Sequence, residues 1–275
     1  MPDHTGPPAD VADKEPWRRR VRDWLATFDE IAPGSIEGLY VVGSAALSDW
    51  QQGSSDIDIV AVTAEPADED LAGTLLTAHA VYTERHPEQS VDGPFVAWGD
   101  LVVPPHSITR PWTLDGTFHH DAECFEINPV TWFTLLRYGI GIRGPAIADM
   151  PIPTDLDERI RFVIDNAMSY WRGIHRDLVG AIGELAPEGT LPSSVPEWCL
   201  LGVCRMLYTA STGDVTSKSG AGRWAAVVLG EQHHPICDSV VAMRTSAPHD
   251  VGRDELVATA EAMAEALRKI SKLIA

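Results

Sequence analysis

Several features that whole functional classes require are missing from this sequence of 275 residues. No stretch approaches the roughly 18 consecutive apolar residues of a membrane-spanning helix, so we expect no membrane contact. Lys and Arg number 21 against 40 Asp and Glu, which gives a formal charge of −19 with no basic patch. Such a charge disfavours nucleic acid and favours a small cationic partner, although an acidic surface is equally a solubility device.

Cysteine is scarce, and we expect no export signal. The four cysteines show no paired C-x-x-C spacing, so we expect reduced, buried thiols. Residues 1–15 are rich in Pro, Asp and Ala and lack the apolar core of a secretory signal, which predicts a disordered tail and a cytoplasmic protein. We expect a monomer or a weak dimer, although nothing in the sequence fixes the oligomeric state.

Three common catalytic motifs are also missing. There is no P-loop and no G-x-S-x-G elbow. The adjacent pairs His119-His120 and His233-His234 lack the H-E-x-x-H spacing of a zinc helix, so they are better explained as turn or surface histidines.

The periodicity of apolar residues divides the chain into two parts. Helical periodicity over residues 17–31 and 69–84 alternates with strand-like runs over 39–42, 57–62 and 95–103, which predicts an α/β domain with a mixed sheet. Gly and Pro then accumulate over residues 139–154, as in a domain connection. Helical periodicity follows over 156–185, 198–211, 218–229 and 254–274. We therefore predict an α/β domain at 16–152 and an all-α helical bundle at 153–275.

The most informative pattern is a pair of carboxylates in a strand-like run. Asp56 and Asp58 lie two residues apart, so both side chains project from one face while Ile57 and Ile59 enter the core. Mg²⁺ prefers oxygen ligands and usually binds one or two carboxylates together with substrate phosphates. A lone D-x-D is more often an ordinary strand edge or turn.

A glycine and a serine precede this pair. At Gly43-Ser44 the backbone can approach a ligand closely, and N–H groups with a serine hydroxyl can hold phosphate oxygens. A lone Gly-Ser is more often a simple turn. Together, between two apolar strands, the two motifs favour a phosphate-binding turn that faces a pair of metal-binding carboxylates.

This arrangement resembles a known superfamily. Gly43-Ser44 followed by Ser55-Asp56-Ile57-Asp58 is similar to the signature of the nucleotidyltransferases that include DNA polymerase β. Residues 204–229 and 135–145 also resemble the aminoglycoside 3″/9-adenylyltransferases, which modify streptomycin and spectinomycin. The resemblance covers most of residues 35–245.

The resemblance implies an activity and a set of site residues. It implies transfer of AMP from ATP to a hydroxyl of an aminoglycoside-type antibiotic, with Mg²⁺ bound by Asp56 and Asp58 and with release of pyrophosphate. Gly43, Ser44 and Ser55 would contact the nucleotide. Arg205 and Lys218 match the arginine and lysine that reach the triphosphate in this family, although each taken alone could be a solvated surface cation.

The attacking hydroxyl must lose a proton, which requires a general base. The family places a glutamate on a neighbouring strand, and Asp92 is the matching candidate here. It departs from the pattern because aspartate is one methylene shorter and because Gly93-Pro94 should weaken a strand. Asp92 could therefore be a mere turn residue. The alternatives for the base are Asp100, Asp121 and Glu123.

Acceptor recognition is harder to place. Glu197, just ahead of the helix that carries Arg205, is our candidate for pairing with a cationic acceptor, and Asp177 is an alternative. Tryptophans can stack on sugar rings but are more often core residues. The candidates for stacking are Trp112, Trp171 and Trp198.

Two other functions stay open. The same fold and metal could serve a protein side chain or another small metabolite as acceptor, and an acceptor screen separates these from an antibiotic. The third hypothesis is a non-catalytic nucleotide-binding module. Such a module would have no physical need for two adjacent carboxylates that repel each other. The choice of ATP over other triphosphates, and the hydroxyl modified, also stay open.

Overall fold

The computed structural model describes residues 15–88, 90–105 and 108–273. These residues form two compact units. The first unit holds the described residues up to Ala46 together with Gln52–Pro153, and the second holds Leu47–Gln51 and the chain from Thr154 onward. Of the predicted tail, residues 1–14 lie outside the described residues, whereas Glu15 precedes the first helix and pairs with Arg18.

The first unit is built on a mixed sheet of six strands, as predicted. The strands are β1 Gly38–Val41, β2 Ile57–Thr63, β3 Val91–Ala97, β4 Trp112–Leu114, β5 Thr117–His119 and β6 Ile140–Arg143. They lie in the order β5-β4-β3-β2-β1-β6. Among the described strands of this sheet, β2 and β3 are paired in parallel and the other neighbours are antiparallel.

Helices cover both faces of this sheet. They are α1 Pro16–Ile31, α2 Gly43–Ala46, α3 Glu69–Arg85, α4 Trp98–Leu101 and α5 Pro129–Tyr138. The predicted apolar stripe of α1 is buried, and its Trp24 and Phe28 rings stack at 3.9 Å. Phe28 in turn stacks on Phe95 of β3 at 5.7 Å, which fixes α1 on one face of the sheet.

The opposite face carries a separate apolar cluster. Val60 and Val62 of β2 and Val96 of β3 pack there with Trp132 and Leu135 of α5. Because strand side chains alternate between faces, the even-numbered positions of β2 and β3 all point to this side. The first even positions, at the beginning of both strands, are aspartates instead of apolar residues.

The second unit is predominantly helical, as predicted. Its elements are α6 Leu156–Asn166, a π-helical turn Ala167–Trp171, α7 Arg172–Glu184, α8 Ser194–Thr212, α9 Lys218–Val228, α10 His234–Met243 and α11 Arg253–Ser271, with a short ladder of β7 Thr190–Pro192 and β8 Asp250–Gly252. Helix α8 packs against α6, α9, α10 and α11 and is buried along most of its length. The periodicity analysis did not predict α10. Pro235 lies in the first turn of this helix, where proline costs no backbone hydrogen bond.

A buried arginine ties Leu47–Gln51 into the second unit. The Arg244 guanidinium at the end of α10 is 4% exposed; it donates to Glu197 Oε1 at 2.9 Å, Ser219 Oγ at 3.1 Å and the Asp49 carbonyl at 3.1 Å. The Asp49 carboxylate accepts the Ser219 N–H at 3.0 Å, near the beginning of α9. Buried charge is costly unless it is paired and hydrogen-bonded, and here every group has a partner.

Some local expectations were wrong. The strand predicted over residues 95–103 ends at Ala97, because the Asp100 carboxylate accepts the Ala97 N–H at 2.8 Å and begins α4 instead. The Gly- and Pro-rich segment 139–154 contains the edge strand β6.

All four cysteines are free and buried.

No helix within the described part of the chain has the length and apolar character needed to span a bilayer.

Candidate active site

Three carboxylates predicted for the site lie where the two central strands of the first unit's sheet, β2 and β3, begin. Asp56 immediately precedes β2, Asp58 is the second residue of β2, and Asp92 is the second residue of β3. In the parallel ladder the Cα of Asp58 is paired with the Cα of Asp92. Residues in register on parallel strands point to the same face, so these two side chains lie next to each other.

The three side chains differ in their access to water. Asp56 is exposed, Asp58 is half-buried and Asp92 is only 2% exposed. Burial is the main factor that raises the pKa of Asp92, and the negative charge of Asp56 raises it further. Hydrogen bonds from Ser90 and from the backbone N–H groups of Gly116 and Asp115 act in the opposite direction. A buried carboxylate with a raised pKa has a heightened affinity for a proton, which suits a general base.

Gly43 makes room for Asp58. It has φ +57°, and a Cβ built on it would lie 1.7 Å from Asp58 Oδ2. The carboxylate of Asp58 therefore rests against the bare Cα of Gly43, and the next residue, Ser44, donates its N–H to the same oxygen at 3.4 Å. Only glycine fits both the backbone conformation and the space. The Gly-Ser and Asp-x-Asp motifs are thus in direct contact.

A second glycine explains how β3 tolerates Gly93-Pro94. Gly93 has φ +145°, and a Cβ there would lie 1.9 Å from the Ile59 carbonyl oxygen of β2. The ladder with β2 skips Gly93 and Pro94 but resumes in the same register at Phe95. On the other side both residues pair with β4. The expected weakening is local, and Asp92 lies in a strand, not in a turn.

The donor set suits a hard divalent cation that is shared with a substrate. Within residues 15–88, 90–105 and 108–273, no group of three His, Cys, Asp or Glu side chains could hold a metal alone. Mg²⁺ commonly takes only one or two carboxylates and completes its shell with water and phosphate oxygens. The Ser44 hydroxyl oxygen, beside Asp58, is buried and has no hydrogen-bond partner among the described residues. The oxygen-only chemistry and this orphaned hydroxyl fit a bound magnesium phosphate.

The remaining predicted nucleotide contacts are distributed between the units. Ser55 lies half-buried in the first unit, directly before Asp56. Arg205 is on α8, and Lys218 is the first residue of α9, after the N-cap Ser217. Both cations are half-buried and belong to the second unit. Their roles toward a triphosphate stay predictions.

The acceptor candidates have different surroundings. Glu197 is the ion-pair partner of buried Arg244, so its charge already has a structural use. Trp112 is 5% exposed and stacks on His119 within the sheet's core. Trp171 and Trp198 lie 5.0 Å apart beside Tyr170, and Trp198 and Tyr170 are partly exposed. This aromatic group remains a candidate for stacking on sugar rings.

The alternative bases are less suitable than Asp92. Asp100 forms an ion pair with Arg110 at 2.8 Å and caps α4, so it is a structural residue. Asp121 and Glu123 are exposed, and the backbone of Glu123 forms an isolated β-bridge with Thr109.

Sequence reasoning missed the turn that contacts Asp92. Asp115 N–H donates to Asp92 Oδ2 at 3.1 Å, and Gly116 N–H lies 3.4 Å from Oδ1. The Asp-Gly pair between apolar residues is a strong signal for a β-hairpin turn. That signal could have located the turn, but not its contact with a residue 23 positions earlier.

Comparisons with known proteins agree with the fold of both units. Residues 22–111 match the family model of the nucleotidyltransferase domain, and residues 166–269 match that of the aminoglycoside adenylyltransferase C-terminal domain. The fold is similar to the crystal structure of spectinomycin adenyltransferase AAD(9) from Enterococcus faecialis with ATP and spectinomycin. The TM-score is 0.64 at 12% identity, over 90% of this chain and 98% of that one. No curated protein matches the sequence.

The contact between Gly43 and Asp58 makes a testable prediction. In Gly43→Ala the new methyl group must displace the Asp58 carboxylate, so we expect nucleotidyl transfer to fall at least about tenfold, which corresponds to about 1.4 kcal/mol of transition-state stabilisation. The measurement is the transfer rate, together with the melting temperature. Gly34→Ala is the matched control, because Gly34 also has positive φ but no atom of the described residues lies within 4 Å of its added Cβ. Equal activity in the two variants would contradict the proposed importance of this contact.

Proposed function

The chain belongs to the aminoglycoside adenylyltransferase family of nucleotidyltransferases, and we propose that it transfers AMP from ATP to a hydroxyl group of an aminoglycoside-type antibiotic, with Mg²⁺ and release of pyrophosphate. The observation that carries the proposal is the parallel register that pairs Asp58 with Asp92 beside Asp56. It supports separate roles, in metal binding and in proton transfer, for three carboxylates at the beginning of β2 and β3.

Asp56 and Asp58 are the proposed metal ligands. They approach from the beginning of β2, and Asp58 is held between Gly43 and the Ser44 N–H. A bound Mg²⁺ would neutralise triphosphate charge and orient the α-phosphate for in-line attack. Ser44, whose buried hydroxyl has no partner within the described ranges, is a candidate for a phosphate contact.

Asp92 is the proposed general base. It takes the proton of the acceptor hydroxyl as that oxygen forms a bond to the α-phosphorus, and the bond from the α-phosphorus to the bridging oxygen breaks to release pyrophosphate. Its raised pKa, caused chiefly by burial, supports this role. The turn N–H groups of Asp115 and Gly116 orient the carboxylate before it takes the proton.

ATP and an antibiotic acceptor are proposed from two lines of support. The structurally similar AAD(9) was crystallised with ATP and spectinomycin. The formal charge of −19 also favours the approach of a cationic acceptor, because the protein's field raises its local concentration. Spectinomycin and streptomycin are therefore the first acceptors to test.

Removal of either proposed metal ligand should abolish the reaction. In Asp56→Ala or Asp58→Ala one of two repelling carboxylates disappears, so we expect the fold to persist while Mg²⁺-dependent transfer is lost. Pyrophosphate release at varied Mg²⁺ concentration, with circular dichroism for the fold, makes the comparison. Asp165→Ala, an exposed aspartate of α6, is the control and should retain activity. Retained turnover in either site variant would show that the metal site is misplaced.

Replacement of the proposed base should separate chemistry from binding. Asp92→Asn keeps the size of the side chain but cannot take a proton, so we expect kcat to fall about a hundredfold or more. The dissociation constant of MgATP, measured by calorimetry, should change little. An unchanged kcat would mean that another group removes the proton.

A further inference from the structure

The hairpin turn beside Asp92 has a defined and demanding conformation. Asp115 and Gly116 join β4 to β5 where Leu114 is paired with Thr117, and their φ angles are +49° and +72°. Positive φ at both central residues is typical of a type I′ turn, which suits the twist of a two-residue hairpin. Both turn N–H groups point at the Asp92 carboxylate.

One side chain from α3 holds this turn from the other side. His79 is 4% exposed, and its Nε2 lies 2.8 Å from the Gly116 carbonyl oxygen. A carbonyl oxygen only accepts, so Nε2 carries the hydrogen and donates it. The other ring nitrogen, Nδ1, is buried and has no hydrogen-bond partner in the part of the chain that the structure describes. The ring also lies 5.8 Å from that of Phe118 in β5.

These contacts connect His79 to Asp92 through the backbone of the turn. His79 donates to the carbonyl oxygen of Gly116. The N–H groups of Gly116 and Asp115 are in turn directed at the carboxylate of Asp92. The peptide groups of the turn therefore lie between the histidine and the carboxylate. Any displacement of the turn would move the donors that set the orientation of Asp92.

We propose that His79 is a positioning residue for the reaction, which acts on Asp92 through the Asp115-Gly116 turn without touching a substrate. The inference rests on the proposed function, because it assumes that Asp92 is the base. Misplacement of a reacting group by a fraction of an ångström slows chemistry more than it weakens binding. The effect of His79 should therefore be found in kcat and not in the KM for MgATP.

Two amide substitutions of different reach test this role. In His79→Gln an amide N–H can take the place of Nε2–H, whereas in His79→Asn the side chain is one methylene shorter and leaves the Gly116 carbonyl without its donor. We expect His79→Asn to lower kcat for spectinomycin- or streptomycin-dependent pyrophosphate release about tenfold with an unchanged KM for MgATP. His79→Gln should recover most of that loss. Thr77→Val, at an exposed position of the same helix, is the control.

Two further measurements keep the test decisive. Hydrogen exchange at Asp115 and Gly116 should accelerate in His79→Asn and not in His79→Gln, and melting temperatures show whether either variant is unfolded. If His79→Asn does not fold, His79→Leu replaces it in the same comparison. A kcat unchanged by loss of the donor, a loss that His79→Gln does not recover, or a rise in the KM for MgATP would overturn the role of His79.

Asp92→Asn, measured in parallel, separates this inference from the proposed function. If Asp92→Asn is inactive and the histidine variants are normal, only the positioning role fails. If Asp92→Asn is fully active, the base role of Asp92 fails and the positioning role of His79 fails with it, while the proposed reaction stands. If the unaltered chain turns over neither antibiotic, the proposed function fails.

Discussion

The register between β2 and β3 is the constraint on which the rest of the site depends. It places Asp58 and Asp92 next to each other on one face of the sheet, with Asp56 close enough for its charge to raise the pKa of Asp92. Two unit charges 4 Å apart repel by about 4 kcal/mol at an effective dielectric constant of about 20. Such a group of carboxylates is unfavourable to the fold alone, and a bound cation or a shared proton relieves the repulsion.

Backbone geometry supports this unfavourable group. Glycine at position 43 leaves the space that the Asp58 carboxylate occupies, and glycine at position 93 lets β3 approach the carbonyl of Ile59 closely. The Asp115-Gly116 turn, with positive φ at both residues, supplies N–H groups to Asp92. Backbone conformations that few residues adopt therefore surround the carboxylates. This agrees with the tendency of strained backbone to gather at functional sites.

Much of the fold and part of the site could be predicted from the sequence, because they depend on local periodicity. The apolar stripe of α1 and the alternation around Asp56 and Asp58 required no knowledge of distant residues. The mixed sheet and the helical second half were confirmed by the structure. Helix α10, which carries Pro235 in its first turn, was not predicted.

Features that depend on contacts between distant residues could not be derived. The pairing of Asp92 with Asp58 requires the strand register, and the tolerance of Gly93 in β3 requires the position of the Ile59 carbonyl. The ion pair of Glu197 with Arg244 joins residues 47 positions apart, and nothing in the local pattern distinguishes it from a contact with a cationic ligand. Physical reading of a sequence therefore finds which residues carry chemistry more readily than which of them meet.

The most direct test of the account is pyrophosphate release from MgATP in the presence of spectinomycin, of streptomycin and of no acceptor, with Asp56→Ala as the blank. The account predicts release that depends on at least one of the antibiotics and is absent both without acceptor and in the blank. Silence with both antibiotics, while calorimetry shows that MgATP still binds, would contradict the proposed acceptor class and direct the search to protein side chains or other metabolites.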